Sequence, residues 1–317
     1  MEAAARIELD GQYRALREEA GTIDRSDRGK LLVKGPDAAD YLQGQLTNDI
    51  EALEPDQGCY SALLDRKGHL QGDMRVLRLG DGEIWLDTEP SATGQVLRHL
   101  QMYSVGREVE VEEASSAWAI VSLLGPASAE IAGIPAPSPE HAQRYFERDG
   151  IEILAVGTDR GIDLITRSEQ ADALRDLLGA SGAVEVSEEA AEIVRVESGR
   201  PRFGQEMTQR TIPEEAGIND RAVSFTKGCY IGQETVARLH YRGKPNRHLR
   251  GLRLSGPARD GDPVTLGERE LGAIGTAVVS PANGPIALAI LRREAELGAT
   301  VSVGEALEAE VVEPTFG

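Results

Sequence analysis

The residues of this chain whose types and spacing could do chemistry are one cysteine in a basic setting and a few carboxylates beside polar neighbours. Cys229 lies in VSFTKGCYIGQETVARLHYRGKPNRHLR, residues 223–250. Here 223–225 reads as a strand and Lys227-Gly228 as a turn. Residues 233–241 read as a short helix with Val236, Leu239 and Ala237 facing inward. That puts Cys229 in a turn just before a helix N-terminus, where the positive helix end and the Lys227 ammonium both favour a thiolate. Residues 227–250 carry six basic side chains (Lys227, Arg238, Arg242, Lys244, Arg247, Arg250) and one acidic, Glu234. A basic island on an acidic chain focuses field on anionic ligands, and a pteridine with a glutamate tail, a phosphate or an acidic partner would each suit it. A lone cysteine is equally what a small buried hydrophobe looks like, and a basic run what a solvated face looks like. Cys59, in an apolar strand, reads as structural.

The carboxylates stay ambiguous at this level. In 193–215, Val194 and Val196 alternate with Arg195 and Glu197, as on a strand or a helix edge. Glu197 could accept hydrogen bonds from the amide or amine edge of a ligand, or form a surface salt bridge with Arg195 or Arg200. Asn48 and Asp49 end a helix and could point into a cleft or merely terminate that helix. Asp73, after Gly72, is either a buried acid or a strand-edge charge. The chain has no Gly-x-x-x-x-Gly-Lys-Ser/Thr loop, no Gly-x-Gly-x-x-Gly, no His-Glu-x-x-His and no Cys-x-x-Cys. Its five histidines and two distant cysteines have no metal-cage spacing, so no metal site is expected, and at most one thiolate could be offered to a metal held by a partner.

The elements that must position these residues follow a mixed order. Strands are expected at 30–34, 59–64, 74–79, 83–87, 108–112, 118–124, 151–156 and 161–165. Helices are expected after the cap Asp37 (with Tyr41, Leu42, Leu46 and Ile50 on one face) and at 91–102, 127–132 and 168–178. Without a regular strand–helix alternation, an α+β fold suits the order better than a doubly wound sheet. From 249 onward short strands at 252–254, 263–266, 275–279, 286–290 and 300–303 predict a small β-barrel.

The 317 residues suggest two or three domains, and the 53 acidic against 34 basic side chains give a formal net charge of −19. That balance excludes a general binder of nucleic acid or of anionic membranes. Two cysteines make no disulfide framework, no apolar run is long enough for a membrane span, and the acidic N-terminus suits no targeting peptide. The expected location is the cytoplasm.

FTKGCYIGQETVAR, residues 225–238, resembles the signature of the YgfZ family, tetrahydrofolate-binding proteins that support iron–sulfur enzymes, including those that modify tRNA. That family is related in fold to the glycine-cleavage T-protein, a folate-dependent aminomethyltransferase. The resemblance extends over 23–38, over 41–49 (YLQGQLTND), over RVESG at 195–199 and over the C-terminal 274–289; 90–185 adds little beyond Gly125-Pro126. It implies two ferredoxin-like α+β domains around a central channel plus a C-terminal small β-barrel. The expected regions are 1–110, 111–245 (part returning to the first domain) and 246–317.

The implied ligand is tetrahydrofolate or a derivative. Glu197 would take the pterin edge, and Lys227 and Arg238 would hold the thiolate charge or the glutamate tail. Tyr230, Gln233, Glu234, Asn48 and Asp49 complete the binding set, and Cys229 and Asp73 are the candidate catalytic groups. The implied partners are iron–sulfur client enzymes or cluster carriers, with no direct nucleic-acid or membrane contact. The alternative is an aminomethyltransferase or demethylase of the T-protein type. Against that alternative stand three departures: T-proteins have Asp-Asp where this chain has Gly72-Asp73, Asp-Phe where it has Cys229-Tyr230, and His where it has Asp27.

Overall fold

The computed structural model of the protein describes residues 2–316. The chain divides into two compact units, and both are discontinuous. The first runs to Leu64, resumes over Gln71–Ala190 and takes back Arg221–Ile231; the second comprises Asp65–Leu70, Ala191–Asp220 and the chain from Gly232 onward.

The first unit is built on two sheets. One has five strands in the spatial order Gly58–Leu64, Leu70–Gly80, Glu83–Thr88, Gly29–Lys34 and Glu110–Glu113. The other has six, in the order Val184–Glu185, Gly21–Asp24, Trp118–Leu124, Gly161–Arg167, Ile151–Thr158 and Gln143–Arg148. Alternating Leu, Ile and Val give each sheet an apolar face. Leu32, Leu77 and Trp85 of the first meet Ile120, Leu154 and Ile165 of the second in one buried cluster. A buried ionic bridge joins the same faces: Arg75 donates to Asp87 (2.7 Å) and to Asp163 (2.6 Å), whose other oxygen accepts from Ser122 (2.6 Å). The helix Pro90–Tyr103 lies so close on the five-stranded sheet that a Cβ at Gly72 would sit 2.9 Å from Val96 and 3.0 Å from Ala92.

The second unit is dominated by one seven-stranded antiparallel sheet, in the order Arg269–Ala273, Pro263–Leu266, Thr300–Val303, Leu307–Val312, Arg247–Leu254, Gly284–Arg292 and Thr276–Ser280. It encloses a core of Leu252, Val264, Leu291, Val301 and Val311. The α+β class expected from the sequence is therefore observed, with the run of short C-terminal strands forming one curved sheet around its own core.

Three local expectations fail, each for a tertiary reason. The helix after Asp37 stops at Gln45 rather than reaching Ile50, because Leu46 turns extended and bridges to Leu63. Asp37 makes no side-chain cap and instead accepts from the Glu108 amide at 2.9 Å. Residues 223–225 are not a strand: Ser224 donates its amide to Thr47 (3.0 Å) outside any ladder. Among the described residues no helix is long and apolar enough to cross a membrane.

Candidate functional site

Within the first unit the strand Leu70–Gly80 carries Asp73, only 8 % exposed. One carboxylate oxygen accepts a 2.6 Å hydrogen bond from the Tyr60 hydroxyl, while the other, Oδ1, is buried without a hydrogen-bond partner. Burial lifts the Asp73 carboxyl to about 6; the Tyr60 bond and the nearby Arg28 charge oppose the shift, and Glu89 adds to it. Thr88 fixes the strand by donating to the Asp73 carbonyl at 2.5 Å. Tyr60 is raised well above an ordinary phenol by burial and by Asp73, so it remains a donor. The Arg221 guanidinium lies 5.1 Å from the Tyr60 ring centroid and donates to Glu140 at 2.6 Å. Arg28, from the opening SDRGK run, pairs with Asp87 at 2.9 Å and with Glu89. The result is a buried carboxyl with one oxygen held by Tyr60 and the other lacking a donor, an arrangement suited to proton exchange near pH 6.

Beside it, the Arg221–Ile231 segment is stitched to the end of the helix Ala38–Gln45. Thr47 donates its hydroxyl to the Ala222 carbonyl (2.6 Å), and the Asn48 amide donates to the carbonyls of Tyr60 (2.8 Å) and Arg221 (3.0 Å). Lys227, nearly buried, donates to the carbonyls of Gln43 (2.6 Å), Leu46 (2.7 Å) and Asn48 (2.8 Å). These include carbonyls orphaned where the Ala38–Gln45 helix ends, so the ammonium acts as a C-terminal cap supplied by a distant segment. All three of its donors are thus taken by backbone. Burial pushes its ammonium down to about 8, against the nearby Asp49. Tyr230 is buried with its ring 5.2 Å from that ammonium, and burial raises its phenol to about 12. Asp49 accepts from the Gln43 amide at 2.9 Å. With these anchors set, Cys229 is left exposed as a free thiol. Cys59 is half-buried and pushed by burial to about 12, which suits the structural role expected of it.

In the second unit Glu197 ends the helix Glu188–Glu197, only 4 % exposed. Its Oε1 accepts from the Ser280 hydroxyl at 2.5 Å and from the Asn283 amide at 3.3 Å. Arg195, on the same helix, pairs with Glu192 (2.8 Å) and the buried Glu206 (3.0 Å). Gln233, Glu234 and Arg238 lie on the helix Gln233–Arg242, with Glu234 and Arg238 exposed.

The structure therefore brings Asp73, Asn48, Asp49, Lys227, Tyr230 and Cys229 into one unit, and Glu197, Gln233, Glu234 and Arg238 into the other. Sequence reasoning missed Tyr60, Arg221 and Arg28. Arg28 lies in the 23–38 run without being marked as a site residue, Tyr60 and Arg221 lie in no motif, and only the fold delivers the Tyr60 hydroxyl to Asp73. Among the described residues no group of three or more His, Cys, Asp or Glu side chains is arranged to hold a metal ion.

The family described as the GCVT N-terminal domain matches residues 5–227. The chain belongs to this family. It is 28% identical over 309 residues to the aminomethyltransferase of Rubrobacter xylanophilus, covering 94% of this chain and 82% of that one. It is also 28% identical over 307 residues to a putative chloroplastic transferase of Arabidopsis thaliana, covering 93% and 70%. The structure of the glycine cleavage system aminomethyltransferase T from Bartonella henselae superimposes with a TM-score of 0.85 at 23% identity, over 98% of this chain and 89% of that one. The fold is thus that of the glycine-cleavage T-protein superfamily, across the whole C-terminal sheet as well as the matched N-terminal region.

Proposed function

We propose that the protein binds a reduced folate and performs one-carbon transfer on it, as its aminomethyltransferase relatives are named for. One observation carries this reading: Asp73 is a buried carboxyl near pKa 6 with Oδ2 on Tyr60 and Oδ1 unmet. A secondary amine of tetrahydrofolate fits that arrangement, because its N–H would supply the donor that Oδ1 lacks. Tetrahydrofolate, when bound, would supply the nitrogen that carries the one-carbon unit. Asp73 would orient that nitrogen and take or return its proton, Tyr60 would hold the carboxylate in place, and burial would keep water from competing. Glu197 is proposed for the pterin edge, as the resemblance implies, and the folate-sized channel of that resemblance belongs to the same proposal.

The test is formation of methylenetetrahydrofolate from an aminomethyl donor by pure protein, together with titration of tetrahydrofolate. Asp73→Asn should lower turnover by about 10²–10⁴-fold while the fold is kept. Folate binding without any turnover in the wild type would refute the transferase reading and leave the binding part standing.

A second reading, support of iron–sulfur enzymes through Cys229, is favoured by the exposure of that thiol on a segment fixed by Lys227. Its test is rescue of tRNA methylthiolation in a bacterium lacking its own relative of the YgfZ type. Rescue by wild type and not by Cys229→Ala supports it, and equal rescue by both rejects it.

A further inference from the structure

We propose that the helix Gln233–Arg242 and the hairpin turn at 65–69, both in the second unit, form a docking surface for an acidic polypeptide segment. The turn and the helix are in contact: Gly68, at φ +86°, lies so close that a Cβ there would sit 2.9 Å from the Thr235 Cβ. Thr235, Arg238 and Arg242 follow at helical spacing and share that face, while Val236 is buried on another. The turn that carries Arg66 and Lys67 therefore packs on the helix that carries Arg238 and Arg242, which lie 171 or more positions later in the chain. Arg66, Lys67, Arg238, Arg242 and Lys244 are all exposed, and none forms an ion pair among the described residues.

The acids nearby do not neutralise them. Asp65 is engaged within its own turn, accepting from the amides of Lys67 (2.8 Å) and His69 (2.9 Å) and lying 3.3 Å from the His69 ring. Glu234 sits in the first turn of the helix, where it complements the helix dipole. Tyr241, 66 % exposed and edge-on to His240 at 4.8 Å, adds an aromatic anchor to the arginines. Arg and Tyr together are the composition of protein-interface hot spots.

The size of the patch favours a short acidic protein segment. The ten-residue helix is about 15 Å long. The chain as a whole carries −19, so an extended polyanion such as RNA would outrun the patch and meet repulsion. A short run of carboxylates would stay within it. The inference does not depend on the folate reading.

The experiment is fluorescence anisotropy of a labelled tetra-glutamate peptide, about 14 Å when extended, titrated with the full chain, with an oligoadenylate of matching charge as competitor. Saturable binding is expected, weakening as salt rises from about 50 to about 200 mM. Arg66→Glu/Lys67→Glu and Arg242→Glu/Lys244→Glu should each weaken it by roughly tenfold or more, and the neutral pair Arg242→Gln/Lys244→Gln by less. Arg259→Glu, exposed on the same unit, should leave it unchanged. Circular dichroism confirms that each variant is folded. No saturable binding, binding indifferent to both reversed pairs, or oligoadenylate binding at least as tightly would each overturn the proposal.

Discussion

Asp73 is a carboxyl whose chemistry is set by what surrounds it. Burial raises it to about 6 from an ordinary 3.8, so the folded state binds a proton that the unfolded chain releases between those values. The contribution of Asp73 is therefore favourable below about pH 4 and is lost as pH rises through about 6, by up to about 3 kcal/mol. Asp73→Asn should flatten the melting-temperature profile between pH 4 and 6 relative to wild type, and a profile of unchanged slope would contradict the shift. In turnover the sign reverses: proton acceptance needs the ionised form, so the rate should climb through about pH 6 and the limb should vanish in the variant. Tyr60 was invisible from sequence for the reason that made Asp73 ambiguous. Whether a strand carboxylate is solvated or buried against a phenol depends on which face is covered, and spacing does not encode that.

The 221–231 segment and the strand around Gly72 show the same dependence in larger pieces. Three backbone carbonyls converge on the Lys227 ammonium. Lys227→Met keeps the aliphatic stem and leaves those carbonyls unpaired, so a loss of about 3 kcal/mol is expected, with a melting temperature lower by about 6 °C. Cys229 should become more protease-accessible along with its segment. Lys227→Arg should not restore stability, because a planar fork cannot replace a point donor to three convergent oxygens.

Gly72 is equally constrained. Its Cα faces Ala92 and Val96, and no side chain fits without moving the helix Pro90–Tyr103. The strand therefore has no room for a carboxylate at position 72 beside Asp73. Gly72→Asp should destabilise the protein by about 3 kcal/mol or more in thermal denaturation, through overpacking and an unpaired buried charge, rather than create a second catalytic acid.

The first unit depends on a buried ionic bridge between its two sheets. Arg75 neutralises Asp87 and Asp163, and with Arg28 it outweighs burial to hold Asp87 down near 2. Because Asp87 is depressed on folding, its contribution is present above about pH 4 and is lost as pH falls through about 2. Arg75→Met would strand two carboxylates. A loss of about 3–5 kcal/mol is expected, partly recovered at low pH where the acids are protonated; chemical denaturation at two pH values checks both. The charge of the whole chain acts differently. At −19 it governs encounter, and it makes the few unpaired cations of the second unit matter more.

What the sequence determined by itself was what short-range chemistry controls. The continuous apolar run at 118–124, the turn residues around 65–68 and 80–82, and the helical spacing in 91–102 fixed most elements, because burial patterning and turn conformations are local. The mixed order gave the α+β class, and the family resemblance reached the superfamily fold. Tertiary structure alone decided the rest. It ended the helix after Asp37 at Gln45, denied a strand to 223–225, and set the Lys227 ammonium on three backbone carbonyls. It also gathered Tyr60 and Asp73, and separately the turn at Gly68 and the helix at Thr235. In each case the deciding energy is the desolvation of a polar group, which depends on the partners that distant segments bring and is therefore not written in any local stretch of the chain.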